Sequence, residues 1–287
     1  MKIIAKKRHI IRRLIFLAVI GLFILTVADN VMIHTTYTRV AIDGLPDPFD
    51  DFRIVQVSDL HNNLYGKDQS YLIAKIKEAE PDIIVITGDL IDRNVTDVDN
   101  AISFVSRAVK IAPVFYVSGN HESYVLGKYK DLMIRMHEAG AVTLDNRSVP
   151  LISDKDQICL AGIRDPAFDW GTPKAVNVDA EIKKALEGVD EDEIKILLSH
   201  RPELIKVYSE NGIDLALTGH AHGGQVRLPF IGPLYSPSQG ILPKYTSGLY
   251  EEGGTQMFVS RGLGNGIAPL RINDGPELAV VILEKPG

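Results

Sequence analysis

The chain has 287 residues and a mass of 31.6 kDa, and 45% of its residues are hydrophobic, enough for one large core or at most two smaller ones. Six basic residues and no acidic one precede Leu14, so 25 of the 31 basic residues stand against 37 acidic ones in the remainder, a formal charge of −12. Such an acidic body is not expected to bind nucleic acid, which normally requires a basic stripe. The lone Cys159 excludes an intramolecular disulfide, and its apolar neighbours predict a buried strand.

The N-terminal segment is predicted to target the membrane. An uncharged, almost wholly apolar run extends from Leu14 to Ala28 directly after the basic residues, a pattern typical of a signal anchor or a signal-peptide core. Three interpretations stay open: a single-pass anchor over residues 1–31, a signal cleaved after Thr26-Val27-Ala28 that releases a secreted protein, and a buried helix. With an anchor or a cleaved signal, the positive-inside rule places the single domain predicted over residues 32–287 on the outer side of the cell membrane.

Downstream, strand patterns alternate with helical ones. Met32–Ile42 alternates as a strand does, and five later runs are short and apolar, as expected of strands buried on both faces: residues 53–57, 83–86, 114–117, 194–198 and 215–217. Helical periodicity lies between the strands, in Tyr71–Ala79, Val98–Ile111, Lys128–Ala139, Ala180–Leu186 and Pro202–Asn211. The alternation predicts an α/β fold.

Each of the five apolar runs is followed by a short polar motif. The motifs are Asp59-Leu60-His61, Gly88-Asp89-Leu90-Ile91-Asp92, Gly119-Asn120-His121-Glu122, Ser199-His200 and Gly219-His220-Ala221-His222. Buried strands deliver such residues to one rim of a sheet, and glycine allows a sharp exit from the strand. A donor set of two Asp, one Asn and four His exceeds what one tetrahedral zinc ion takes, and it suits two divalent ions that share a ligand.

A site of this composition attracts phosphoryl groups. Two divalent ions bring four positive charges, whereas Asp59 and Asp89 supply only two negative ones. Two ions roughly 3.5 to 4 Å apart lower the pKa of a shared water towards about 7 and stabilise the leaving oxygen of an in-line displacement. The pattern therefore predicts a metal-dependent hydrolase. Asp, Asn and His accept Zn, Mn, Fe or Co, so the identity of the metal stays open.

In this order, the five motifs resemble those of the calcineurin-like metallophosphoesterase superfamily, over residues 53–223. A further block, Gly219–Gln225 followed by Val259–Gly264, is similar to the bacterial membrane-associated branch of that superfamily, the YaeI-like and YkuE-like phosphodiesterases. The resemblance implies a two-sheet αββα sandwich after the membrane segment. Strands near Met257–Ser260 and Leu278–Leu283 are expected to complete the second sheet.

The resemblance also implies the metal ligands, divided between two divalent ions that Asp89 bridges. The other ligands are Asp59, His61 and His222 for one ion, and Asn120, His200 and His220 for the other.

Four residues beside the ligands have implied or candidate roles. His121 would protonate the leaving oxygen or steady the phosphoryl group, which makes it the expected catalytic residue. Asp92 and Glu122 would accept hydrogen bonds from imidazole N–H groups, as carboxylates commonly do around metal sites. Arg261 is either a phosphate contact or a solvated loop arginine.

The predicted reaction is phosphoester hydrolysis by a metal-bound hydroxide, with a diester or a pyrophosphate favoured over a free monoester. The phosphoester is expected to be lipid-linked or part of the cell envelope, although a cyclic nucleotide also stays open. Two alternatives remain, a protein or nucleotide monoesterase and a non-enzymatic envelope-binding module that the metals hold together. The stretch Arg227–Gly254 is predicted to be either a substrate wall or a loop packed over its own apolar side chains.

Overall fold

The computed structural model describes residues 2–170, 177–266 and 270–287, and it opens with one long helix, α1, Lys2–Val31. Within α1, the stretch Ile11–Val31 is long and apolar enough to cross a membrane, and it is the one such stretch among the described residues. Its 21 residues span about 30 Å, which is the thickness of a bilayer's hydrocarbon core. The side chains of the basic residues Lys2, Lys6, Lys7 and Arg8 lie outside the described part.

The remainder of the chain alternates strands and helices. In chain order, the strands are β1 His34–Ala41, β2 Arg53–Val57, β3 Ile83–Thr87, β4 Val114–Val117, β5 Val142–Thr143, β6 Arg147–Ser153, β7 Asp156–Gly162, β8 Lys195–Leu198, β9 Leu215–Thr218, β10 Arg227–Leu228, β11 Gly232–Pro233, β12 Tyr235–Ser236, β13 Gly240–Ile241, β14 Gly248–Glu252, β15 Thr255–Val259 and β16 Glu277–Glu284. The helices after α1 are α2 Ser70–Glu78, α3 Val98–Ala108, α4 Asn120–Tyr124, α5 Leu126–Ala139, α6 Val178–Ala185 and α7 Ile205–Glu210.

Twelve of these strands form two six-stranded sheets. The first has the order β1-β16-β2-β3-β4-β5 and is parallel except between β16 and β2. The second has the order β14-β15-β9-β8-β7-β6, in which the two outermost pairs are antiparallel and the inner pairs parallel. Strands β2 to β5 of the first sheet run in one direction, as do β7, β8, β9 and β15 of the second, so the residues that follow each set are brought to one edge. Strands β1 and β16 run the opposite way and end at the other edge.

Four layers enclose three apolar clusters. The two sheets pack face to face over side chains such as Ile54, Val85 and Leu217. Helices α2, α3 and α5 cover the outer face of the first sheet, and α6 and α7 cover that of the second. The central strands are therefore buried on both faces, which explains their short, continuously apolar sequences. The predicted αββα sandwich is confirmed.

The prediction for the last strand is wrong. Leu278–Leu283 was expected in the second sheet, but it belongs to β16, which lies in the first sheet between β1 and β2. Seven of the eight residues of β16 are buried. Because the strand is apolar on both faces, its sequence carries no signal for which of the two sheets it joins. The strand predicted near Met257–Ser260 does lie in the second sheet, as β15.

The cysteine lies where its neighbours predict. Cys159 is buried in β7, and burial raises the pKa of its thiol to about 11. The thiol is therefore protonated near neutral pH and acts as a small apolar side chain.

Candidate metal centre

The polar motifs all follow strands that end at the same edge of the sandwich. Asp59, Asp89 and Asn120 come after β2, β3 and β4 of the first sheet, whereas His200 and His220 come after β8 and β9 of the second. The two edges lie side by side, so donors from both sheets converge.

A buried glutamine links the two sheets beneath this edge. The side-chain amide Nε2 of Gln56 donates to Thr87 Oγ1 at 2.8 Å within the first sheet, and to the carbonyl oxygen of Thr218 at 2.9 Å in the second. These hydrogen bonds fix the spacing of the strand ends that carry the ligands.

The first cluster of donors contains Asp59, His61 and His222, all buried. Nε2 of His222 lies 3.3 Å from Asp59 Oδ1 and 3.3 Å from Nε2 of His61. Burial and the adjacent His61 lower the pKa of His222 well below its ordinary value, which favours the neutral imidazole that binds metals.

The second cluster contains Asp89, His200 and His220, together with Asn120. Nε2 of His200 lies 3.2 Å from Asp89 Oδ2, 3.2 Å from Asn120 Oδ1 and 3.1 Å from Nδ1 of His220. The other ring nitrogen of His200 lies 2.8 Å from the carbonyl oxygen of Thr87, so Nε2 is the nitrogen that faces the cluster.

Asp89 lies between the two clusters. Its Oδ2 is 3.2 Å from Nε2 of His200 and 3.6 Å from Nε2 of His61, while Oδ1 accepts a 2.7 Å hydrogen bond from the backbone N–H of His121. No other carboxylate among the described clusters contacts imidazoles of both. This position is the one that a bridging ligand requires.

The donor chemistry fits divalent cations. Lone-pair atoms of imidazoles and carboxylates point at one another across about 3 to 4 Å, an arrangement that needs cations or protons between the donors to be stable. Imidazole, carboxylate and amide oxygen are the ligand types that Zn, Mn, Fe and Co share.

Two glycines allow this convergence by their lack of a side chain. A Cβ at Gly219 would lie 1.9 Å from Ser58 Oγ and 2.4 Å from Asp59 Oδ2. At Gly119 it would lie 2.3 Å from Asp89 Oδ1. Both motif glycines are therefore required by close packing against the carboxylate of a candidate metal ligand.

Asp92 lies beside two imidazoles and is hydrogen-bonded to that of His61. Its Oδ2 lies 3.2 Å from Nδ1 of His61 and 3.1 Å from Nδ1 of His121. Burial raises the pKa of the Asp92 carboxyl group, but the hydrogen bonds from His61 and from the backbone N–H groups of Asn94 and Val95 outweigh it and lower that pKa. Asp92 is thus the ionised acceptor that its motif predicts.

Glu122 has a different role from the one expected. It was predicted to accept a hydrogen bond from an imidazole, but its carboxylate accepts backbone N–H groups of Gly119, Asp89 and Ile91, at 2.9, 3.1 and 3.2 Å. Burial and the charge of Asp89 raise the pKa of Glu122 to about 8, against the effect of these hydrogen bonds. Glu122 acts on the backbone because it lies inside α4, where its side chain is directed back at the loop after β3.

A cavity of about 170 Å³ opens above the clusters. His121 lines it, and Nδ1 of His121 is held 3.2 Å from the backbone nitrogen of Arg93 and 3.1 Å from Asp92. Nε2 is therefore the ring nitrogen that is available to a substrate. This is the position in which an acid that protonates a leaving group has to lie.

Sequence reasoning missed two arginines in the wall of this cavity, Arg93 and Arg201. The exposed Arg93 lies over the ring of Tyr124, 4.8 Å from its centroid, at the cavity mouth. The buried Arg201 pairs with Asp165 through hydrogen bonds of 2.6 and 3.0 Å. The only signal in the sequence was their position next to a motif, since Arg93 follows Asp92 and Arg201 follows His200.

Ser238 connects Arg201 to the imidazole of His220, a candidate metal ligand. Its hydroxyl oxygen lies 2.6 Å from Arg201 Nη1 and 3.0 Å from Nε2 of His220. Nη1 of Arg201 also lies 3.3 Å from Nε2 of His220, so the serine hydroxyl, the guanidinium and the imidazole form one contact network. Ser238 thus accepts a hydrogen bond from the buried Arg201 beside His220.

The stretch Arg227–Gly254 contributes to the cavity through Pro237 and Ser238. Its tyrosines do not line the cavity: Tyr245 is buried, and Tyr250 packs against it with ring centroids 5.1 Å apart. One turn of the stretch thus borders the cavity and its tyrosines Tyr245 and Tyr250 pack on the second sheet, whereas Phe230, Ile241 and Leu242 are exposed.

Arg261 is not among the residues that line the cavity. Its Nη1 lies 3.8 Å from Asp274 Oδ1, and its backbone N–H donates to Glu277 Oε2 at 2.8 Å. The structure brings the other motif residues to the metal edge, but it directs this arginine towards a buried acid.

Comparison with known proteins identifies the family. The sequence model of the Calcineurin-like phosphoesterase family matches residues 52–224, which contain all five motifs. The chain belongs to the calcineurin-like phosphoesterase family. It is therefore a metal-dependent phosphoric ester hydrolase, and this replaces the alternative of a non-enzymatic binding module.

Curated relatives agree with this assignment, and one solved structure has a similar fold. The chain is 34% identical to the metallophosphoesterase YkuE of Bacillus subtilis (strain 168), over 88% of this chain and 86% of that protein. It is 28% identical to the transmembrane protein with metallophosphoesterase domain of Bos taurus, over 87% of this chain and 56% of that protein. The fold is similar to that of TT1561 of Thermus thermophilus, with a TM-score of 0.52 and 14% identity, over 74% of this chain and 90% of that one.

The position of Asp89 predicts the effect of its removal. Asp89→Asn should lower the metal content from two ions towards one per chain, because the shared carboxylate is lost. Hydrolysis should fall by more than about 100-fold, because mutation of residues that merely hydrogen-bond to metal ligands already costs up to about 100-fold. Metal analysis of the purified protein checks the first effect.

The control is Asp145→Asn, which alters a carboxylate hydrogen-bonded to Ser118 and Tyr129 instead and should keep both ions. An Asp89→Asn protein with two ions and normal turnover would refute the shared position.

The orientation of His121 predicts a loss of chemistry without a loss of metal. His121→Ala should lower kcat by about 100-fold or more, the usual value of a positioned acid or base, while the metal content stays unchanged. His137→Ala is the matched control, because that histidine is exposed on α5. Loss of metal from His121→Ala would make this residue a ligand.

Proposed function

We propose that the protein is a dinuclear phosphodiesterase or pyrophosphatase that acts on membrane- or envelope-associated phosphoesters. The observation that carries the proposal is the Asp89 carboxylate, which lies between two sets of imidazole nitrogens beneath a cavity lined by His121. One ion would be held by Asp59, His61 and His222. The other would be held by Asn120, His200 and His220, with Asp89 common to both.

The chain's own groups divide the remaining work. When bound, the two ions supply Lewis acidity and an activated water at neutral pH. His121 holds a proton at Nε2 for the leaving oxygen, because its Nδ1 accepts a hydrogen bond from the backbone N–H of Arg93. The guanidinium of Arg93 binds non-bridging phosphate oxygens, for which its planar fork is suited.

The charge of the cavity wall favours a singly charged phosphorus centre. Arg93 and Arg201 line the cavity, but the charge of Arg201 is balanced by Asp165 in a buried pair. A dianionic monoester would need more compensation than a diester. The exposed rings of Tyr124 and Trp170 border the same cavity and offer apolar contacts to a second ester group. These features support a diester or a pyrophosphate.

The helix α1 supports a membrane location. Its apolar side chains between Ile11 and Val31 are exposed in the structure, as expected of a lipid-facing span. We infer a single-pass protein in which residues 1–31 form the anchor and residues 32–287 the catalytic domain. Basic residues precede the span, so the catalytic domain lies on the outer side of the cell membrane.

A comparison of two chromogenic substrates tests the reaction. With Mn or Zn added, the full chain in detergent should hydrolyse bis-(p-nitrophenyl) phosphate at least about tenfold faster, by kcat/KM, than p-nitrophenyl phosphate. A tenfold ratio corresponds to about 1.4 kcal/mol of selective stabilisation of the diester transition state. The reverse preference would identify a monoesterase. The Asp89→Asn protein is the control for contaminating phosphatases.

The orientation is tested by protease accessibility. In a bacterial host, the full chain should sediment with membranes, and protease added to intact spheroplasts should digest the catalytic domain. A cytoplasmic marker protein should stay intact in the same sample. Protection of the domain would reverse the orientation, and a mature chain that begins near Asp29 would show that the signal is cleaved.

A further inference from the structure

A second cavity lies where the membrane helix meets the catalytic domain. It has a volume of about 400 Å³. One wall is the last turn of α1, with Val27, Asn30 and Val31, and the opposite wall includes Leu64, Tyr71 and Leu270 of the catalytic domain. The cavity is therefore bounded by the membrane span on one side and by the enzyme on the other.

The wall that α1 provides is fixed to the domain by direct hydrogen bonds. The side-chain amide of Asn30 donates to the carbonyl oxygen of Arg271 at 2.7 Å and accepts from its backbone N–H at 2.8 Å. Asp29 adds a 2.8 Å contact to His34. The cavity is consequently a defined space between packed elements.

Only a short stretch of chain separates this cavity from the metal centre. Asn265 lines the second cavity, whereas the next residue, Gly266, lines the cavity above the metals. A Cβ at Gly266 would lie 2.8 Å from Nε2 of His222, and one at Gly264 would lie 2.6 Å from the carbonyl oxygen of Asp59. Consecutive Cα atoms are 3.80 Å apart, so the two cavities border neighbouring positions of one short segment of chain.

The position of the cavity indicates its occupant. Val27 and Val31 belong to the last turns of the candidate span, so the cavity opens at the boundary between the hydrocarbon core and the headgroups. Tyrosine is typical of this depth, and Tyr65 and Tyr71 both line the cavity. The amide of Asn63 adds polar hydrogen-bonding capacity beside the apolar walls. Such a mixture suits the upper part of a lipid chain and its polar attachment.

We propose that this cavity binds the hydrocarbon chain of an amphiphilic phosphodiester while its phosphoryl group lies at the metal centre. The inference rests on the proposed phosphodiesterase function and names its substrate class. The lipid enters from the outer leaflet alongside α1, whose last turn forms one wall of the cavity.

A series of substrates with one leaving group tests the proposal. The p-nitrophenyl alkyl phosphate diesters with methyl, octyl and hexadecyl chains share their chemistry and differ only in the apolar chain. For the full chain in nanodiscs, kcat/KM should rise with chain length, by up to about fourfold for each methylene that enters the cavity.

Filling the cavity should remove this dependence. Leu64→Trp places a larger ring in the cavity wall at a position that is 68% exposed, so the fold should tolerate it. The hexadecyl diester should lose at least about tenfold in kcat/KM, and the methyl diester should keep its value. Ile152→Trp is the matched control, because Ile152 is also 68% exposed but lies on β6. Since both variants share the same membrane, partition of the substrate into lipid cannot produce a difference between them.

The outcomes separate the two proposals. If the methyl diester is hydrolysed without any gain from chain length, or if Leu64→Trp leaves the gain intact, the lipid cavity is refuted and the phosphodiesterase stands. If no diester is hydrolysed, the phosphodiesterase fails. Binding is then tested by photo-crosslinking to phosphatidylglycerol that carries a diazirine in its acyl chain. Labelling of the peptide around Leu64 that Leu64→Trp abolishes would support the cavity, and equal labelling of both proteins would overturn it.

Discussion

The carboxylates of Asp59 and Asp89 scarcely contact solvent, so the groups around them must compensate their negative charges. Two negative charges in such a place are costly unless cations compensate them. The chain supplies part of the compensation itself: although burial opposes it, these carboxylates raise the pKa of His200 to about 10. A proton on that imidazole and a metal ion both compensate the carboxylate charges, so metal binding displaces the proton.

The proposed ligands themselves have unfavourable backbone conformations. Five of the seven proposed ligands have positive φ angles between 47° and 63°, a region that residues other than glycine rarely adopt: Asp59, His61, Asp89, His220 and His222. Each such residue costs about 1 to 3 kcal/mol and persists only where the surroundings determine it. The determining surroundings are the strand ladders below, the Gln56 link between the sheets and the N–H groups that Glu122 holds. The stable sandwich thus holds the proposed ligands in these unfavourable backbone conformations.

The parts of the structure that were predictable are those in which one strand end carries one motif. Buried parallel strands read as short apolar runs, and the residues after them share an edge, so the fold class and the convergence of donors follow from local sequence. The failures involve contacts between distant segments. The sheet of β16, the backbone partners of Glu122 and the cavity position of Arg201 each depend on which element lies opposite, and no local pattern encodes that. The close packing that requires Gly119 and Gly219 was likewise invisible, although both glycines were noticed as turn residues.

Helix α1 and the candidate metal centre both contact one residue, Arg271. Its backbone pairs with the amide of Asn30 at the end of α1, and its buried guanidinium lies 3.4 Å from Nδ1 of His222 and donates to the carbonyl oxygen of Gly264. Only Met32 and Ile33 separate α1 from β1, whose whole length is paired with β16. So short a connection cannot act as a flexible linker between α1 and the domain. In the proposed single-pass arrangement, the fold therefore sets the height of the metal centre above the bilayer, and the enzyme meets the substrates that the membrane presents at that height.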